Sequence, residues 1–286
     1  MIYKLKSVNR KSIGNYIFHL CHTILLAKFN RNKIIIPINN SLSALYPFEL
    51  ILDFRMNKDE EPYIDILDEF NIHPNKIVKD NNTFFDRYSC IKKYLIPNQL
   101  NIEFKKTNKD CLVIHCRSGD IFNRNGVNEK YSQPPLSYYI DIIENNKYNE
   151  IIILTNNNSN VSKKDNSYNS ELLINPIIKP LIELYPYIQL QNNKTVEYDF
   201  LTLCNCYNLV LSRGSFSVAA SILNNNLINL YIPIFDCKND DNFGNNIYLD
   251  NKKYSFKIHR NSKSIKYGNK MFKWKNTDSQ RLLMLN

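Results

Sequence analysis

Short β-branched runs alternate with amphipathic stretches along most of the chain, and this alternation restricts the fold more than any other feature. "NYIFHLCHTILLAKFN" sets Ile17, Leu20, Cys21, Ile24 and Leu25 at the spacing of one buried helical face. "KIIIP" follows at once and reads as a short buried strand ended by Pro37. The pattern then recurs. "EPYIDILDEFN" is helix-like, "KIVKD" strand-like and "CLVIHC" a stronger strand. "PPLSYYIDIIEN" predicts a helix with proline in its first turn, followed by the strand "EIIILT". "NPIIKPLIELYP" precedes "YIQL", "DFLTLCNCYN" precedes "LVLS", and "SVAASILNNN" precedes "LINLYIP". Such an order predicts an α/β protein with parallel sheets covered on both faces. There are enough units for two sheets. The polar stretch "KKTNKD" from Lys105 to Asp110 is the candidate linker, which divides the chain into domains 1–108 and 109–286. Residues 156–170 lack periodicity and read as a mobile surface loop.

Composition excludes some classes. At 286 residues, with 43% hydrophobic and 22% charged residues, the chain has the make-up of a globular protein. Asn, Lys, Ile and Tyr are abundant, as AT-rich codons would produce, so motifs built from Asn carry little weight. The net charge of +10 suits nucleic acid, anionic lipid or a phosphate-bearing ligand. Much of the excess lies between Lys252 and Lys275, either as a solvated basic face or as a contact for an anionic surface. The seven cysteines are an odd number in a chain long enough to fold without staples, and Cys204 and Cys206 lack the second pair of a zinc site. No apolar run is long enough for a membrane span, and Lys4, Lys6, Arg10 and Lys11 interrupt any signal peptide. The expectation is a cytoplasmic protein with reduced thiols.

In open parallel sheets ligands gather beyond the carboxyl ends of the strands. "LVIHCRSGDIF" puts His115, Arg117, Gly119 and Asp120 at such an end, with His115 and Arg117 on one side while the strand continues. A guanidinium stays charged and presents a fixed fork to paired anionic oxygens. Asp120 either holds that arginine or accepts a ligand hydroxyl; a surface ion pair closing a loop fits these residues equally well. "SIGNYIF" places Gly14 and Asn15 at a helix start, where free N–H groups favour an anion. "LVLSRGSFSVAA" runs from a strand through Gly214 into Ser215, Phe216 and Ser217 at the head of an Ala-rich helix, either a phosphate cradle or a serine cap.

In order and spacing, "GNYIFHLCHTILLAK", "HCRSGD" and "DFLTLCNCYNLVLSRGSFSVAASIL" resemble the alpha-1,2-fucosyltransferases and the wider protein O-fucosyltransferase superfamily. The resemblance covers most of residues 13–235 in scattered blocks. It implies a GT-B fold of two Rossmann-like halves facing a cleft, the first on the acceptor side. It also implies inverting, metal-independent transfer from a nucleotide-diphosphate sugar, with GDP-fucose the leading co-substrate, to a glycan, glycolipid or protein. By the same resemblance, Arg117 binds the β-phosphate and His115 sits near the nucleoside. Ser215, Phe216 and Ser217 face the phosphates, with Gly14 and Asn15 approaching from the other half. Asp199 touches base or ribose, or caps its helix. The family tends to carry Ser-Asp-Asp after the "IIIL" strand, where this chain has Thr155, Asn156 and Asn157. An amide oxygen still accepts a hydrogen bond, without the charge or the two-oxygen fit, so a different nucleotide sugar is an alternative donor.

Asp120, His19 and His22 are the candidates for a general base. His19 and His22 lack a third metal ligand, no acidic pair of the metal-binding kind is present, and no metal is expected. Two other readings compete. One is a basic nucleic-acid-binding protein, disfavoured because the aromatics are dispersed in core elements. The other is a nucleotide-binding scaffold without turnover.

Overall fold

The computed structural model describes residues 2–4, 13–29, 33–37, 45–46, 49–53, 92–95, 97, 102–122, 131–155, 174–192, 194–233, 255–260 and 274–286. The side chains of Asn15, His19, His22 and Asp120, the whole of Asn156, and the runs "EPYIDILDEFN" and "KIVKD" lie outside the described residues.

Two sheets are present among them. In the first, β1 (Ile2–Lys4) runs parallel to β2 (Lys33–Pro37), with helix α1 (Ile13–Phe29) as the crossover. β3 (Glu49–Asp53) then pairs antiparallel with β2, Lys33 opposite Asp53 and Pro37 opposite Glu49. This sheet is therefore mixed rather than parallel. Residues 38–48 are too few for a helical crossover, so the chain returns antiparallel.

The second sheet contains β4 (Cys111–His115), β5 (Glu150–Leu154), β6 (Gln189–Gln191), β7 (Asn208–Val210), β8 (Asn229–Ile232) and β9 (Lys257–Arg260). All pairings are parallel, and the order across the sheet is β6-β5-β4-β7-β8-β9. Numbered within the sheet this is 3-2-1-4-5-6, the doubly wound order of a Rossmann-like fold. The helices along this part of the chain are α2 (Leu136–Glu144), α3 (Ile178–Leu184), α4 (Val196–Asn205), α5 (Ser215–Leu223) and α6 (Asp278–Met284).

Strict alternation along the strands divides the core in two. Cys111, Val113, Ile152, Leu154, Leu209 and Leu230 join residues of α1, α4 and α5 on one face. Leu112, Ile114, Ile151, Ile153, Val210 and Tyr231 join α2, α3 and Trp274 on the other. Strands buried on both faces need continuous apolar runs, which is why "LVI" and "IIIL" look as they do. Each fully buried Ile or Leu side chain contributes about 1.5–3 kcal/mol, so the sheet's centre is the stable part of the molecule.

α1 belongs to both sheets. It links β1 to β2, and its buried residues Tyr16, Ile17, Leu20, Cys21 and Ile24 share one core with α4 and α5. Lys92 Nζ donates to the Asn224 carbonyl at the end of α5, and the Tyr46 hydroxyl donates to the Leu95 carbonyl at 2.9 Å. Lys105, at the start of the stretch read as a linker, is tied to the second sheet and its helices. The Lys105 amide donates to Thr202 Oγ1 at 3.1 Å, and its ammonium pairs with Glu150 at 2.9 Å. Cys21, Cys111, Cys116, Cys204 and Cys206 are buried thiols. Among the described residues no helix is long and apolar enough to cross a membrane.

Candidate functional site

The sheet order reverses between β4 and β7, and the crevice beyond the carboxyl ends of two such strands is where doubly wound folds take ligands. The segments leaving these two strands carry Arg117 and Gly214.

β4 ends at His115, so the alternation expected to carry His115 and Arg117 along one side stops short of the arginine. The chain beyond is held tightly. The Cys116 amide donates to the Leu154 carbonyl at 2.9 Å. Ser118 and Thr155 share a hydrogen bond of 2.7 Å between their hydroxyls, and the Asn175 amide donates to Ser118 Oγ at 3.0 Å. Asn175 Nδ2 donates to the Arg117 carbonyl at 3.2 Å. Gly119, at φ +78°, then starts a single 3₁₀ turn to Phe122. Trp274 Nε1 donates to the Ile121 carbonyl at 2.7 Å, and Asn276 Nδ2 to that of Phe122. The C-terminal segment thus clamps the turn that follows Arg117.

The Arg117 guanidinium carbon lies 3.9 Å from the centre of the Tyr131 ring. Its Nη1 end abuts Gly214, where a β-carbon would sit 2.7 Å from that nitrogen. Gly214 is the N-cap of α5, with φ +147°, a conformation side chains avoid. No side chain caps α5 and its first turn has no acidic residue. The first turn of α1 meets it directly: a β-carbon on Gly14 would stand 2.5 Å from the Ser215 carbonyl carbon and 2.6 Å from the Phe216 nitrogen. The first turn of α1 also has no acidic residue. Each helix start carries about half a positive charge on its unbonded N–H groups. Two of them and a guanidinium therefore meet at one place, which is the electrostatic complement of a polyanion.

His115 Nδ1 shares a hydrogen bond of 2.5 Å with Ser212 Oγ, and its ring lies 5.4 Å from that of Phe216. Burial first, and the Arg117 charge second, push its pKa down to about 3. The imidazole is neutral at ordinary pH and too weak a base to take a proton from a hydroxyl group. Phe216 also lies 5.4 Å from Phe200 in α4, beside Asp199. Asp199 is 5% exposed, its Oδ1 has no hydrogen-bond partner, and burial pushes its pKa up to about 7. Thr195, not Asp199, caps α4, accepting from the Tyr198 amide at 3.1 Å.

Of the residues expected at the site, Gly14, His115, Arg117, Ser215 and Phe216 are gathered within this crevice. Thr155 and Ser217 serve its frame. The Thr155 hydroxyl is engaged with Ser118, and buried Ser217 turns its hydroxyl toward the Ser212 carbonyl at 3.4 Å. Asn15 and Asp120 occupy the start of α1 and the 3₁₀ turn by their backbones. Tyr131, Asn175 and Ser212 were not legible as site residues. Asn175 carries one usable signal, an Asn-Pro pair of the kind that marks turns, obscured in so Asn-rich a chain. Among the described residues no group of three His, Cys, Asp or Glu is placed to hold a metal.

No family model, no curated protein and no solved structure matches the chain.

Proposed function

We propose that the chain is a glycosyltransferase that moves a sugar from a nucleotide diphosphate, with GDP-fucose the leading donor, to a hydroxyl of a glycan, glycolipid or protein. The observation that carries this reading is the meeting of Arg117 with the starts of α5 and α1 at the sheet's switch point. Breaking the glycosidic C–O bond develops positive charge on the sugar and negative charge on the departing diphosphate. A preorganised cation facing that oxygen is worth several kcal/mol. Arg117 is that cation, and the N–H groups of Ser215 and Phe216 add donors that never titrate.

In this reading transfer is inverting and metal-independent: the acceptor hydroxyl attacks from the side opposite the diphosphate, the glycosidic C–O bond to the diphosphate breaks, and the hydroxyl proton passes to a general base, for which Asp120, His19 and His22 are the candidates. A GT-B arrangement would bring the acceptor from the half that contains β1–β3. His115 and Phe216 pack as neutral rings beside the nucleoside. The buried thiols suit a reducing compartment, the cytoplasm.

The test is thermal stabilisation by a panel of nucleoside diphosphates, followed by sugar-transfer assays with the nucleotide sugars that match. A nucleotide that binds well below its assay concentration raises stability by mass action. Arg117→Ala should keep the fold and lose turnover about a hundredfold or more. Wild-type turnover from that variant would refute the role of Arg117. Nucleotide binding without any transfer would make the protein a nucleotide-binding scaffold.

A further inference from the structure

We infer that Tyr131 is a positioning residue for Arg117: its ring fixes the plane of the guanidinium so that the N–H edge, not the face, meets the anion. The inference rests on the reading of Arg117 as the anion-binding group.

An arginine side chain has much rotamer entropy to lose on being ordered. Here it is held at both ends. Its carbonyl accepts from Asn175 Nδ2 at 3.2 Å, and its guanidinium carbon stands 3.9 Å from the Tyr131 ring centre. Such a stack is worth about 0.5–2 kcal/mol, more when water is excluded. The platform beneath is itself rigid. Gln133, fully buried, donates from Nε2 to the Tyr131 carbonyl at 3.0 Å and to that of Ser132 at 3.4 Å. Pro134 and Pro135 follow, both buried, with φ fixed by their rings, and Pro135 is the N-cap of α2. A ring anchored to a buried segment can hold a neighbour in place where a ring on a free surface loop could not.

The stack also limits what Arg117 can recognise. With one face covered by Tyr131 and the Nη1 end against Gly214, the guanidinium is disfavoured as a stacking partner for a nucleobase. In-plane donation to oxygens, the two-oxygen geometry of a diphosphate, is the mode of recognition this arrangement favours. The base must then be recognised elsewhere, on the side of His115 and Phe216.

The experiment compares Tyr131→Phe and Tyr131→Leu, with pyrophosphate and GDP as titrants and circular dichroism to confirm folding. Tyr131→Phe keeps the ring and should bind both within about twofold of wild type. Tyr131→Leu should weaken both about threefold to thirtyfold, the range that the stack's energy sets. In the Arg117→Ala background, at low salt where the helix starts still hold pyrophosphate, Tyr131→Leu should change affinity by less than about twofold. Wild-type affinity in Tyr131→Leu, or an equal loss with and without Arg117, overturns the inference while leaving the functional reading intact. A wild-type protein that binds neither titrant overturns both.

Discussion

Gly14 in α1 stands so close to the Ser215–Phe216 peptide of α5 that a β-carbon on it would lie 2.5 Å from the Ser215 carbonyl carbon. The obstacle is backbone at the head of a helix, which cannot step aside as a flexible side chain can. Gly14→Ala should therefore cost about 1–3 kcal/mol of stability and also weaken nucleotide binding, because it forces the two helix starts apart. Urea unfolding and a nucleotide titration measure the two effects. An unchanged urea midpoint would mean that the helices do not meet this closely.

Asp199 and His115 set opposite pH dependences. Asp199, raised from 3.8 to about 7, holds a proton in the folded state that the unfolded chain has already released. Its stabilising contribution is complete below pH 3.8 and is lost as pH rises through 7. His115, lowered from 6.5 to about 3, does the reverse: its contribution is complete above 6.5 and is lost as pH falls toward 3. Neither slope exceeds about 1.4 kcal/mol per pH unit. Asp199→Asn should gain on wild type in chemical unfolding at pH 8 and lose that advantage near pH 4. A constant difference across that range would show that Asp199 is ionised, and paired, in the folded protein.

Trp274 is fully buried and donates to the Ile121 carbonyl at 2.7 Å, with its ring edge-on to Phe122 at 5.6 Å. Trp274→Phe keeps an aromatic ring but leaves a buried carbonyl without its donor, a loss of about 1–3 kcal/mol. The melting temperature should fall, and nucleotide affinity with it, because the turn that loosens is the one following Arg117. Reduced stability with full affinity would show that Arg117 is held without this clamp, by Asn175 and Tyr131.

The inner strands of the second sheet and the helices between them were legible because both faces of that sheet are buried, whereas α6 was not foreseen. A strand covered twice must be apolar throughout, and "CLVIHC" and "EIIILT" became β4 and β5, each without its last residue. β9 was hidden inside the basic stretch: "KIHR" alternates charge with apolar residues, as an outer strand can, and reads as a solvated face. β3 was missed for a related reason, since "ELILD" is bounded by acids and pairs at one edge. The order of strands is a tertiary property that no local pattern carries, yet it is what brings Arg117 beside Gly214. Residue type pointed to Arg117, Gly14 and Ser215, because charge and chain flexibility are intrinsic to them. Direction was not readable: Thr155 and Ser217 have the hydroxyls a phosphate would want, and the fold turns both inward. Tyr131 is one of 19 tyrosines, and only the position of its ring distinguishes it.

The first turns of α1 and α5 contribute charge that belongs to the main chain. Acid, alkali and most exchanges of side chain leave it untouched, and what preserves it is the absence of bulk at positions 14 and 214. Arg117 is thus the one member of the trio whose charge a substitution can remove, and any change in the anion preference proposed for this crevice would have to begin there.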